Sequence, residues 1–138
     1  MGFNIFTYGT LMFPEIWDRV VGRRYPKTEA TIRGYQRRKI KGEPYPALVH
    51  GNPHDRVTGV LYLGVTAEHL TRLDRFEAET YKRIEVRCKT AEGKVFPALA
   101  YLFREEYVDL IEEDPWDPEW FLKQGMGSFT DHYEGFTR

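Results

Sequence analysis

The sequence predicts an α+β domain, and three features carry that prediction. Short β-branched and aromatic runs recur along the chain, two of them alternate strictly about a tight turn, and helical stretches lie between others. "FNIFTYG", residues 3–9, reads as a first strand ending at Gly9. "PEIWDRVVG", 14–22, opens with proline as a helix-start signal and closes with glycine as a stop, which predicts a short helix. Residues 28–40, "TEATIRGYQRRKI", alternate loosely around Gly34, the pattern of a bent or bulged strand. The Pro- and Gly-dense "KGEPYPALVHGNPHD", 41–55, is expected to be mostly loop with a short strand over Ala47–His50. "VTGVLYLGV", 57–65, is apolar nearly throughout, as in a strand buried on both faces or closing a barrel. Thr66 then offers an N-cap for a second helix. "YKRIEVRCK", 81–89, sets Ile84, Val86 and Cys88 on one face, and "TAEGK" turns it into "VFPALAYLF", 95–103, as a hairpin. Residues 104–138 hold Trp116, Trp120, Phe121, Phe129, Tyr133 and Phe136 with little periodicity, and no repeat or linker divides the chain, so 1–138 reads as one domain.

Composition narrows the function classes. With 138 residues, 41% hydrophobic and 30% charged, the chain suits one core-forming globular unit. Twenty basic and 21 acidic residues give a net charge of −1, which argues against wholesale nucleic-acid binding. No apolar run approaches the ~20 residues that cross a bilayer, and "MGFNIFTYG" lacks a basic leader or cleavage site. Cys88 is the sole cysteine, so no internal disulfide forms, and a cytoplasmic location is expected. Oligomeric state is open. Aromatic residues at 15% supply material for a pocket wall as well as a core.

One carboxylate is oddly placed. In "TAEHLTRLDRFEAETYKR", 66–83, a helix at ~100° per residue sets Glu77 about 20° from Leu70 and about 40° from Leu73. On that apolar face it is desolvated, which raises its pKa and suits it to moving protons near neutral pH. Two structural readings compete: the helix ends near Asp74 and exposes Glu77, or Glu77 pairs with Lys82 or Arg83. A second candidate is "YGTL", Tyr8–Leu11, where a strand gives way to a turn. Such a turn presents backbone N–H groups, and Gly9 admits a ligand closely; the competing reading is a plain strand exit. "RGYQRRKIKG", 33–42, holds five basic residues around Tyr35, but strand alternation sets Arg37 and Lys39 on a solvated face opposite Arg38 and Ile40. The histidines, His50, His54, His69 and His132, show no metal-ligand spacing, so no metal is expected.

The set "YGTLM" at the N-terminus, "YPALV" at 45–49, "VTGVLY" at 57–62, "LDRFE" at 73–77 followed by Tyr81 and Arg83, and "HYEGF" at 132–136 resembles the γ-glutamylcyclotransferase-like superfamily. Within it the likeness is to the γ-glutamylamine cyclotransferase and AIG2-like branch, and it runs through nearly the whole chain. The resemblance implies a small mixed β-barrel with short helices packed around it. It implies substrate binding by Tyr8, Gly9, Thr10 and Leu11 through main-chain groups, with Glu77 as the catalytic acid/base and Tyr81 as a pocket hydroxyl. Tyr45, Pro46 and the Tyr133–Phe136 tail are further candidates for the cavity wall. The family motif has glycine after the glutamate, and Ala78 stands there in this chain. The implied reaction is attack by the α-amine of a γ-glutamyl compound on its own γ-amide carbonyl, giving 5-oxoproline and a free amine. It needs no cofactor and no partner beyond the small-molecule γ-glutamyl substrate. The alternative is a non-catalytic binder of a γ-glutamyl or amino-acid-like ligand in the same cavity.

Overall fold

The computed structural model describes residues 2–77 and 79–125. Five strands close a barrel in the order β1(Phe3–Thr7), β5(Arg56–Val65), β2(Lys27–Arg33), β6(Tyr81–Thr90) and β7(Val95–Phe103). β1 meets β7 in parallel, through Ile5 and Leu99, and the other neighbours are antiparallel. Two helices, α1(Pro14–Val21) and α2(Ala67–Glu77), pack beside the barrel, so the architecture is the α+β barrel that the resemblance implied.

The apolar alternation explains the packing. Phe6, Ile32, Leu61, Val86, Cys88 and Ala100 form one buried cluster drawn from all five barrel strands. Val86 and Cys88 share it as expected, and Ile84 packs against it half-buried. A second cluster joins Ile16, Trp17 and Val21 of α1 and Leu70, Leu73 and Phe76 of α2 to Ile5, Tyr62 and Val65 of the barrel. Trp17 lies flat on Tyr62, with ring centroids 3.6 Å apart and planes 5° from parallel. Gly22, at φ +79, ends α1 in the left-handed region that glycine tolerates best. Thr66 opens α2: its hydroxyl accepts from His69 N at 3.4 Å and its carbonyl from Leu70 N at 2.9 Å.

Two expectations are corrected. Residues 28–40 are not one bent strand. Gly34, at φ +86, swings the chain out of the barrel, and β3(Tyr35–Ile40) joins a separate sheet of order β4-β3-β8, with β4(Pro46–His50) and β8(Ile111–Pro115). The bend was visible in the sequence; the change of partners was not, and one of the two, β8, lies more than 70 residues away. The first strand also stops at Thr7 rather than Gly9, because Tyr8–Met12 folds into a tight turn with Met12 N donating to Gly9 O at 3.0 Å. Among the described residues no helix is long and apolar enough to cross a membrane. The aromatic tail Phe129–Phe136 and His132 lie outside the described residues.

Candidate active site

The exit of β1, the end of α2 and the start of β4 converge on one cavity of about 210 Å³. That is below the ~300–1,000 Å³ of sites for drug-sized ligands and holds roughly seven water-sized volumes, a scale suited to an amino-acid group. Phe6 to Leu11 form one wall, Tyr45 and Pro46 a second, and Phe76, Glu77, Thr80, Tyr81 and Tyr101 the remainder. The walls touch at Gly9: a Cβ there would lie 2.7 Å from Pro46 Cγ, so no larger residue fits without displacing the proline. Side chains fix the turn from behind. Tyr62 Oη donates to Leu11 O at 3.0 Å, Arg37 donates to Tyr8 O at 2.8 Å, and Tyr8 Oη donates to Tyr101 O at 2.7 Å. Tyr81 lines the cavity, and its hydroxyl donates to Pro46 O at 2.6 Å.

Glu77 is the last residue of α2, half-buried, with its open side on the cavity. The protein packed around its carboxyl strips it of water, and this desolvation pushes its pKa from 4.5 up to about 8. Among the described residues no cation pairs with it. Arg83, a partner the sequence allowed, instead donates to Asp74 at 2.7 Å, and Tyr101 Oη donates to the other Asp74 oxygen at 2.6 Å. Burial first, and then the Glu77 charge, hold the Tyr8 phenol well above its usual range, so that hydroxyl stays protonated and lies within the field of the carboxylate. Burial and the Asp74 hydrogen bond do the same for Tyr101.

A family model described as gamma-glutamyl cyclotransferase, AIG2-like, matches residues 5–118, from β1 through every described cavity residue. The chain belongs to that family. Among its relatives in Arabidopsis thaliana, AIG2-like protein D is 32% identical over 91% of this chain and 83% of its own length. AIG2-like protein A is 34% identical over 60% of this chain, and that match spans only half of the relative's length. A solved structure of a gamma-glutamyl cyclotransferase shares the fold, with a TM-score of 0.68 and 21% identity over 96% of this chain and 81% of that one.

In this AIG2-like chain the structure brings all six sequence-predicted site residues, Tyr8, Gly9, Thr10, Leu11, Glu77 and Tyr81, to one cavity. The exposed-turn alternative for Glu77 does not hold, because α2 continues past Asp74 to Glu77 itself. Ala78 is outside the described residues. Sequence reasoning missed Phe6, Thr7, Phe76, Thr80 and Tyr101 as lining; only the lone hydroxyl of Tyr101 in an otherwise apolar strand marked one of them. It also misplaced Arg37, expected on a solvated face. Arg37 is half-buried and bonded to main chain, while Arg38 donates to Gln36 and to Glu113 O, and Lys39 lies 5.3 Å from the centre of the Trp120 ring.

Proposed function

We propose that this protein is a γ-glutamyl cyclotransferase acting on a γ-glutamylamine, as one domain over residues 1–138. One observation carries the reading: a carboxyl, Glu77, without an ion-pair partner among the described residues, raised to about 8 and opening on the same small cavity as the Tyr8–Leu11 turn. Family membership and the cyclotransferase neighbour's fold support an activity of this type.

The chemistry follows from these groups. A γ-glutamyl compound carries its own nucleophile, so the protein must fold it, move protons from the attacking to the leaving nitrogen and stabilise one oxyanion. At pH 7 the α-amine is mostly an ammonium. Glu77 as carboxylate takes that proton, and a base near 8 is well matched to an α-ammonium, so the transfer is close to balanced. The freed nitrogen attacks the γ-carbonyl carbon and closes a five-membered ring. The tetrahedral oxyanion collapses and the bond to the leaving nitrogen breaks; that nitrogen receives the proton held by Glu77 and the second proton shed by the ring nitrogen, so the amine departs as an ammonium and Glu77 is again a carboxylate. The products are 5-oxoproline and an amine, with no water consumed. The turn's own bonds draw on the amides of Met12 and Phe13, and the amides of Gly9, Thr10 and Leu11 are the donors we assign to the substrate carboxylate or the oxyanion.

The test is 5-oxoproline release from a panel of γ-glutamylamines by wild type and Glu77→Gln, which keeps size and removes the base. We expect wild-type turnover, and a loss of ~10²–10⁴ in kcat for the variant at an unchanged fold. No release from any panel member, with one of them raising the melting temperature of both proteins, would instead identify a binder that uses the same cavity.

A further inference from the structure

Arg37 does not line the cavity, yet its guanidinium ends against the cavity's back wall. From β3, in the second sheet, it donates to Tyr8 O at 2.8 Å and to Thr58 O at 3.3 Å. It is half-buried; burial lowers its pKa while the charge of Asp117 raises it, and among the described residues no carboxylate lies within salt-bridge distance of it. A partly desolvated cation facing main-chain carbonyls is costly to keep, and its hydrogen bonds must be well placed to offset that. Its guanidinium carbon lies 5.5 Å from the centre of the Trp116 ring, and Trp116 Nε1 donates to Pro44 O at 2.8 Å, immediately before the Tyr45–Pro46 wall. Arg37 and Trp116 therefore reach both walls, which touch each other where Gly9 meets Pro46. The Tyr8–Gly9 peptide is trans, so turning its carbonyl toward Arg37 turns the Gly9 N–H the opposite way.

We propose that Arg37 is a positioning residue for substrate binding: it holds the Tyr8–Gly9 peptide and, through Trp116, the Pro44–Pro46 segment in the relative placement that grips the glutamyl group. The proposal rests on the cyclotransferase reading for its kinetics but not for its binding test. Arg37→Met keeps a stem against Trp116 and removes the donors. With the charged donor to the Tyr8 carbonyl gone, KM should rise roughly tenfold or more while kcat stays close to wild type. A merely structural Arg37 would lower kcat in step with the folded fraction and leave KM unchanged, and that outcome overturns the proposal. The second readout is the Gly9 amide in glycine-selective ¹⁵N spectra, where the chain offers at most 12 glycine signals, titrated with L-glutamate as a glutamyl probe that has no amine to release. In the variant the free Gly9 signal should be displaced and L-glutamate should bind roughly tenfold more weakly. Equal L-glutamate affinity, or a wild-type Gly9 signal that L-glutamate leaves unmoved, also overturns it. If wild type releases no 5-oxoproline, the catalytic reading fails while this titration still decides Arg37. Should Arg37→Met not fold, Arg37→Lys replaces it. Both bonds leave one guanidinium nitrogen, so a lysine keeps donors for the carbonyls but has no planar guanidinium to lay on Trp116; weakened binding is expected and parity with wild type overturns the proposal.

Discussion

Asp74 and Glu77 stand on the same helical turn of α2 and have opposite fates. Asp74 is substantially exposed, accepts from Arg83 at 2.7 Å and from Tyr101 at 2.6 Å, and ties α2 to β6 and β7. Glu77, three positions on, faces the cavity without an ion-pair partner among the described residues and is pushed up to about 8. The difference teaches that environment, not residue type, assigns the roles: the paired carboxylate holds the helix end, and the desolvated one is free to carry a proton.

The largest effect that could break this comparison is a pH profile. If Glu77 is the base, kcat/KM should climb about tenfold per pH unit below about 8 and level off near it, because only the carboxylate accepts the proton. A profile already flat from pH 5 upward would contradict the assignment. Next in size is stability. The folded pKa of Glu77 lies above the ordinary 4.5, so its protonated form is the one the fold favours. That contribution is complete below about pH 4.5 and is lost as pH rises through about 8. Glu77→Gln imitates the protonated form, and by melting temperature it should exceed wild type by several degrees at pH 8.5, with the gap closing toward pH 5. The smallest effect belongs to Asp74→Asn. It should cost on the order of 1 kcal/mol in denaturant unfolding, discounted for the exposure of the pair, and leave the rate limb near pH 8 where it was. A displaced limb would mean that the two carboxylates titrate together.

Much of the site was legible before any coordinates. The helical wheel alone put Glu77 between Leu70 and Leu73, and both leucines are buried. "YGTL" declared a strand exit with room for close approach, and Gly9 meets Pro46 there. The β6–β7 hairpin runs in register from Tyr81–Phe103 to Lys89–Val95, as its alternation required. Periodicity, however, states which face a residue takes and not what stands opposite it. Hence Arg83 was open to Glu77 or another acid until the β6 register brought it to Asp74, and Arg37 read as solvated because nothing local announces that the back of β1's exit lies against β3.

The sequence by itself determined the α+β class, the main helices and barrel strands, a bend at Gly34 and the unusual placement of one carboxylate. All of these follow from local dihedral preferences and the spacing of apolar residues. Only the tertiary structure decided that β3 leaves the barrel for β4 and β8, that Tyr101 and Phe76 complete the cavity, and that Asp74 rather than Glu77 takes the arginine. Those outcomes depend on hydrogen bonds and desolvation between groups far apart in the chain, whose strength is set by closure of the whole barrel.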